Sequence, residues 1–342
     1  MCNVSIIIVN TNTRELTCQC LSSICANPLS RPFEIIVVDN ASTDGSCEAI
    51  ASRFPDVRLI QNLRNVGFAV ANNRALEIAR GEHVLLLNND TIVLPQSLDQ
   101  LLSALDADEH VGIVAPKLIY PDGSLQMSYG PMPSLFVSFC SFFEVRKWLP
   151  QELLSRIGRS ESRKFLGKNA SSYAEWSSID APKTSKLSRH LLATGACLLI
   201  RGECFRQVGS LDPEFFMYVD DADYCKRVRD AGWDILYVAE ATIVHIKGGT
   251  VGNRYRWTSA AAYFSVFHFL EKHHGKTTAW IAKALAVLSL ACRSTSKTLL
   301  RQPSARGSWR LLWDVGCWKA RSSASTSPKA SRLREEHEHA AD

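Results

Sequence analysis

The sequence predicts an α/β fold built on a central, mostly parallel β-sheet with helices on both faces. Two observations carry this. Short apolar, β-branched runs recur at 4–9, 34–39, 57–61 and 83–88, and the segments between them have helical length and spacing. A βαβ series of this kind joins parallel strands by right-handed crossovers, and 342 residues at 46% hydrophobic content suffice for one large domain or one domain with an appendage.

Met1 to Asn10 lacks a basic leader, and its apolar run is too short for a signal peptide, so it reads as the first strand. After the fourth run, Pro95 stands where a helix could begin. Ile113 to Tyr120 reads as a further strand ending in the turn Pro121-Asp122-Gly123-Ser124. From about 130 to 190 the pattern dissolves into Pro, Ser, Lys, Arg and aromatic residues, including Phe136, Phe139, Phe142, Phe143 and Trp148, which reads as an insertion. Those aromatics suit core packing, a membrane surface or part of an acceptor site.

Regularity returns at Leu191 to Arg201. Phe215 to Asp230 then reads as a helix closed by Gly232, followed by two strands, Trp233 to Val238 and Ala241 to Ile246. Residues 257–292 are mostly helical, with Gly275 as a break. The apolar part, Thr277 to Cys292, is interrupted by Lys283 and is shorter than the ~20 residues that span a bilayer. An interfacial amphipathic helix and a helix packed on the domain are the two readings left. Beyond Arg301 the Ser-, Lys- and Arg-rich tail reads as disordered. The expected organisation is a domain over 1–255 with an insertion at about 130–190, a helical region over 256–300 that either associates with a membrane or packs on the domain, and a tail over 301–342.

A net charge of +5, with basic residues in the C-terminal tail, does not suggest whole-protein nucleic-acid binding but leaves an acidic or phosphorylated partner of the tail open. Eleven cysteines without Cys-x-x-Cys or zinc-site spacing fit reduced thiols in a cytosolic setting.

Four segments have the chemistry of a site. In His83-Val84-Leu85-Leu86-Leu87-Asn88-Asn89-Asp90-Thr91 an apolar strand runs into a carboxylate at its C-terminal end. Ligands of open α/β sheets bind there, and Mg²⁺ or Mn²⁺ on Asp90 could hold a diphosphate; an ordinary turn is the alternative. The run Glu34 to Ser46 delivers Asp39 to the sheet edge as an acceptor for ribose or base, while Ser42, Thr43 or Asp44 suits a helix cap. In Asn65-Val66-Gly67-Phe68, Gly67 lets the backbone pass close to a ligand before a helix N-terminus, or Asn65 simply caps that helix.

The fourth segment, Leu211 to Arg227, crowds Asp220, Asp221 and Asp223. The helix dipole favours acids at a helix start, yet their mutual repulsion raises at least one pKa, as a general base requires. Arg227, four residues after Asp223, is placed to pair with it. His245 ends a strand before Gly248-Gly249 and is either a satisfied core residue or a partner of Asp90 in a metal site.

Taken in order over roughly residues 3–275, these segments and Thr194-Gly195-Ala196-Cys197 resemble family 2 glycosyltransferases of the Rossmann-like GT-A fold, especially rhamnosyltransferase-like members. The resemblance implies that Val9, Thr11 and Asp39 hold the nucleotide, with Asn65, Gly67 and Asn89 completing the donor site. It further implies that Asp90 binds Mg²⁺ or Mn²⁺, that His245 joins the metal shell, and that Asp221 is the catalytic base. Two departures are visible: Asp220 stands where Glu is common, and Asn88-Asn89-Asp90 offers one carboxylate instead of two.

The implied activity is inverting transfer of a sugar, rhamnose in the members the chain most resembles, from a nucleotide diphosphate sugar to a glycan or lipid-linked acceptor in surface-polysaccharide synthesis. The setting would be cytoplasmic, at the inner membrane face. A sugar nucleotidyltransferase is the nearest rival, although residues 10–20 lack its basic Gly-rich loop. A catalytically silent nucleotide-sugar-binding scaffold is the other rival, and the cost of the acidic cluster argues against it.

Overall fold

The structure, a computed structural model, describes residues 2–144, 184–246, 260–299 and 305–316. It divides into two compact units, Met1–Pro133 with Arg146–Arg256, and Ser134–Val145 with Trp257–Asp342.

The first unit opens with β1 (Val4–Asn10), α1 (Arg14–Ala26), β2 (Phe33–Asp39), α2 (Ser46–Arg53), β3 (Arg58–Gln61), α3 (Phe68–Leu76) and β4 (His83–Leu87). It continues through β5 (Thr91–Val93), α4 (Ser97–Asp106), β6 (Val111–Ile119), β7 (Leu125–Gln126) and β8 (Tyr129–Pro131). After α5 (Leu135–Phe142), which belongs to the second unit, come β9 (Ser185–Lys186), β10 (Leu191–Ala193), β11 (Cys197–Ile200), α6 (Gly202–Val208), α7 (Asp220–Asp230) and β12 (Asp234–His245).

The main sheet runs β3-β2-β1-β4-β11-β6-β12-β5, with β7 on β6 and β9 on β12, and β8 and β10 form a separate antiparallel pair. β3, β2, β1 and β4 are mutually parallel, as are β6 and β12; β11 runs antiparallel to both neighbours and β5 antiparallel to β12. Successive residues of each central strand feed opposite cores. Ile6, Ile8, Val37 and Leu85 pack with α1, α2 and α4, while Ile7, Ile36, Val38 and Leu86 pack with α3, α6 and α7. Two-sided burial is why these runs are apolar throughout. From β1 the chain order proceeds to β2 on one side and β4 on the other, so the C-terminal ends of β1 and β4 mark a topological switch point.

Three expectations change. The two strands expected over Trp233–Val238 and Ala241–Ile246 are one strand, β12, whose register against β6 shifts between Val238 and Thr242; a bulge absorbs the polar break without ending the pairing. The helix expected from Phe215 begins at Asp220, because Tyr218 and Val219 both hold φ +67°. The tail beyond Arg301 contains a helix at Ala305–Gly316; residues 317–342 lie outside the described residues.

The second unit comprises α5, α8 (Ala260–His274), α9 (Lys276–Leu299) and α10 (Ala305–Gly316), with Gly275 at φ +88° breaking α8 from α9. Phe142 is buried and stacks on Tyr263 at 5.2 Å, which is the core-packing reading; Phe136 and Phe139 are exposed, and Trp148 lies outside the described residues. Among the described residues no helix is long and apolar enough to cross a membrane.

Candidate active site

Asn10, at the end of β1, is buried and organises the switch point. Its Nδ2 donates to Asp39 Oδ1 at 2.6 Å and to Ser42 Oγ at 3.0 Å, and its Oδ1 accepts from Thr13 and Thr17 at 2.9 and 2.7 Å. Asn89 Nδ2 donates to Thr13 Oγ1 and Thr17 Oγ1 at 2.6 and 2.9 Å and reaches Asn10 Oδ1 at 3.3 Å. This network ties the ends of β1, β2 and β4 together. Asp39 is buried, with Oδ2 accepting from Ser42 N at 2.8 Å; Val9 and Thr11 are half-buried.

The loops around Asp39 are braced differently from the caps expected. Asp44 accepts from Ser46 N and from Arg14 N, bridging the starts of α2 and α1, but the N-cap position itself is Gly45. Burial disfavours the Asp44 carboxylate, and these hydrogen bonds outweigh that and hold its pKa below the usual range. Asn65 does not cap α3: its Oδ1 accepts from Gly67 N at 3.0 Å, and Gly67 is the N-cap residue.

Gly67 does allow a close approach, and the neighbour is Phe216. With φ +88°, a Cβ there would lie 2.7 Å from the Phe216 carbonyl oxygen, and Phe68 N donates to that same oxygen at 2.8 Å. Gly67→Val is therefore expected to destabilise the protein by about 2–4 kcal/mol, from left-handed strain plus the clash. Urea unfolding of the variant against the parent measures this; equal midpoints would remove the glycine argument.

At α7 the sequence puts Asp220, Asp221 and Asp223 in the first turn, where the free N–H groups favour carboxylates. Each has a different fate. Asp223 is fully buried and paired with Arg227 Nε at 2.8 Å, and Arg227 also donates to the carbonyls of Val208 and Ser210. It is structural. Asp220 is buried, and its pKa is raised by burial first and then by the charges of Asp221 and Asp223.

Asp221 is half-buried, its Oδ2 accepting from Gly195 N at 2.9 Å and its Oδ1 from Ala222 N at 2.8 Å. Burial raises its pKa although both amides oppose the shift. A Cβ on Gly195 would sit 3.0 Å from Asp221 Cβ, so the small residue at 195 admits the carboxylate. Tyr218 and Val219 in left-handed geometry cost about 1–3 kcal/mol each, strain of a kind that collects at functional sites.

From Gly195 the contacts lead back to the sheet. Ala196 O accepts from Asn88 N at 2.9 Å, and two residues on Asp90 is buried with Oδ1 3.2 Å from His245 Nε2. Thr91 and Ile246 hold the Asp90 and His245 segments together, the first through the β5–β12 register and the second through Ile246 N donating to Asp90 O at 2.8 Å. The pair predicted from sequence is thus brought together.

Gln126 on β7 sets the tautomer of His245. Its Nε2 donates to the His245 carbonyl at 3.1 Å, which turns its Oε1 toward His245 Nδ1 at 2.5 Å and puts a hydrogen there. Nε2 of a neutral ring then presents a lone pair to a carboxylate oxygen. Two acceptors at 3.2 Å call for a cation between them or a proton on the ring. The donor set, one carboxylate and one imidazole, suits Mn²⁺ or Mg²⁺ completed by outside oxygens. Among the described residues no group of three or more His, Cys, Asp or Glu is arranged to hold a metal.

Gln126, Asn10, Thr13 and Thr17 stand outside the segments that the sequence marks as a site, whereas Gly195 lies in the motif Thr194-Gly195-Ala196-Cys197. Burial pushes the thiols of Cys20, Cys197 and Cys225 up, so these three pack as small apolar groups. Lys247, Gly248 and Gly249 lie outside the described residues.

Residues 5–165 match the model of Glycosyl transferase family 2. The chain is 32% identical over 260 residues to an N-acetylglucosaminyl-diphospho-decaprenol L-rhamnosyltransferase of Mycobacterium tuberculosis, covering 71% of this chain and 76% of that protein. It is 26% identical over 269 residues to an O-antigen biosynthesis protein of Myxococcus xanthus, covering 76% of this chain and 19% of that protein. Among solved structures, a mannosyltransferase from Pyrobaculum calidifontis in complex with GDP-Man and Mn²⁺ aligns with a TM-score of 0.51 at 18% identity, over 94% of this chain and 87% of that chain. That likeness concerns the fold.

Proposed function

Because the chain belongs to Glycosyl transferase family 2, we propose that it moves a sugar from a nucleotide diphosphate donor to a hydroxyl with inversion at the anomeric carbon. The observation that carries this reading is the continuous set of contacts from Asp221 through Gly195, Ala196 and Asn88 to Asp90 and His245. It joins a carboxylate of raised pKa to a carboxylate–imidazole pair at one end of the parallel strands.

Asp221 is the base. It accepts the proton of the acceptor hydroxyl as that oxygen bonds to the anomeric carbon, on the face opposite the departing diphosphate. Gly195 N–H and Ala222 N–H fix both carboxylate oxygens, each of which keeps a lone pair for the incoming proton. Mg²⁺ or Mn²⁺ held by Asp90 and His245 would neutralise charge on the diphosphate. Val9, Thr11, Asp39, Asn65, Gly67 and Asn89 form the nucleotide side, Asp39 and Asn89 acting from within the buried network and Asn65 and Gly67 by shaping the loop.

The mycobacterial relative's name supports an L-rhamnosyl donor and a polyprenyl diphosphate-linked acceptor. Cytoplasmic work in peripheral contact with the membrane follows from an acceptor of that kind. The test is a panel of nucleotide sugars with and without a lipid-diphosphate acceptor, with mass analysis of the product. Transfer from a dTDP-deoxyhexose is the expected result. Formation of a nucleotide sugar from a sugar phosphate would replace the reading with a nucleotidyltransferase, and no turnover with any donor would leave a binding scaffold.

A further inference from the structure

The long helix α9 turns an apolar stripe outward. Trp280, Ile281 and Leu288 are 66%, 40% and 54% exposed, and exposed Ala284 and Cys292 continue the stripe at helical spacing. The opposite face, Ala279, Ala282, Ala286, Ser289 and Leu290, is buried. In an ordinary packed helix the two faces would be polar outside and apolar inside; here the outer one is apolar as well.

The stripe is extended by α10. Thr298 lies on the same side of α9 by the i+3/i+4 count from Leu288, and Trp309 Nε1 donates to Thr298 Oγ1 at 3.0 Å. Trp309 and, one turn on, Trp313 are 44% and 70% exposed. From Trp280 to Thr298 the helix rise gives about 27 Å, longer than a chance patch and too polar at its ends to cross a bilayer.

Charge indicates what meets this face. α9 and α10 carry six Lys or Arg (Lys276, Lys283, Arg293, Lys297, Arg306 and Arg310) and one acidic residue, Asp314, whereas the whole chain nets only +5, so the basic excess is concentrated on these helices. Residues 317–342 are close to balance, with five basic and four acidic residues. Exposed Lys276 stands at the start of the stripe and exposed Arg310 between the two tryptophans. Tryptophan rings flanked by cations, on helices lying flat, suit the headgroup layer of an anionic bilayer.

We propose that Trp280, Ile281, Leu288, Trp309 and Trp313, with Lys276 and Arg310, form a docking face that lays α9 and α10 onto an anionic lipid surface. This deepens the membrane contact proposed above and is independent of the roles given to Asp221 and Asp90. The experiment uses the full chain and vesicles of phosphatidylcholine alone or mixed in equal parts with phosphatidylglycerol. Wild type should sediment with the mixed vesicles, less so at high salt, and bromine-labelled lipid should quench its tryptophan fluorescence.

The triple variant W280S/L288S/W313S should bind about ten-fold more weakly, and K276E/R310E should lose the salt-sensitive part. Transfer to a soluble acceptor should be unchanged in both, so loss of docking is separable from loss of the glycosyltransferase reading. Absence of sedimentation and quenching in wild type would overturn the proposal whatever the variants do. So would a lipid-free, concentration-dependent dimer of wild type that the triple variant abolishes, since the face would then join two copies.

Discussion

Asp221→Asn is expected to lower turnover by about 10²–10⁴-fold while leaving binding of the donor nucleotide unchanged, because the substitution keeps the shape of the side chain and removes its capacity to take a proton. Asn can still accept from Gly195 N, so the local fold has a reason to persist. Isothermal titration with the nucleoside diphosphate, alongside transfer kinetics, reads the two effects separately. Near-normal turnover in the variant would move the base elsewhere.

The pH profile adds a signed test. Burial raises the pKa of Asp221, so the transfer rate of the parent should fall as pH drops through that raised value, above the range of an ordinary carboxylate. The neighbouring Asp220 carries the same direction of shift, from burial and then from the charges of Asp221 and Asp223. A raised folded-state pKa means the folded protein binds the proton more tightly than the unfolded chain. The stabilisation is complete at acid pH, below the unfolded value, and is lost as pH rises through the folded value. Asp220→Asn should therefore raise the unfolding midpoint at neutral pH and leave it little changed in acid; a midpoint unchanged at neutral pH would contradict the shift.

The sheet was legible because two-sided burial leaves continuous apolar runs, and the strand ends were legible because Asp39 and Asn88-Asn89-Asp90 interrupt those runs abruptly. The pairing of Asp90 with His245 was reachable from chain order and family resemblance. Gln126 was not. Its role depends on a two-residue strand folding back on β6 to meet the carbonyl of His245, and nothing local to Leu125-Gln126 signals a partner 119 residues away. The same holds for Asn10, Thr13 and Thr17, which read as a strand end and an ordinary helix start until Asn89 is laid against them.

Gly67 shows the converse: the glycine was visible and its reason was not, since the backbone that approaches it belongs to Phe216. The long β12 reads as two strands in the sequence because Ala239-Glu240 interrupts the apolar run, while a bulge accommodates such residues inside one strand. The helix Ala305–Gly316 escaped because its composition is read with the Ser-rich residues around it, whereas Trp309, Leu312 and Trp313 follow helical spacing.

Asp90→Ala should cost about 10²-fold or more in Mn²⁺ affinity measured in the presence of the nucleoside diphosphate, because the protein offers only a carboxylate and an imidazole and this removes the charged one. Transfer should fall at least as far, since neutralising the departing diphosphate is the chemistry the cation supplies. Gln126→Leu tests the same pair without touching either ligand. With the Oε1 acceptor gone, nothing fixes the hydrogen on Nδ1, and the ring is free to present the wrong nitrogen to Asp90. Partners of this kind typically contribute 10–100-fold in metal affinity, so Gln126→Leu should weaken Mn²⁺ binding by about that factor and Gln126→Glu should retain it. Electron paramagnetic resonance of Mn²⁺ with nucleoside diphosphate reads occupancy independently of turnover. Should Asp90→Ala bind Mn²⁺ as the parent does, the 3.2 Å contact is an ion pair of protonated His245 with Asp90, and charge on the diphosphate must be met by other residues.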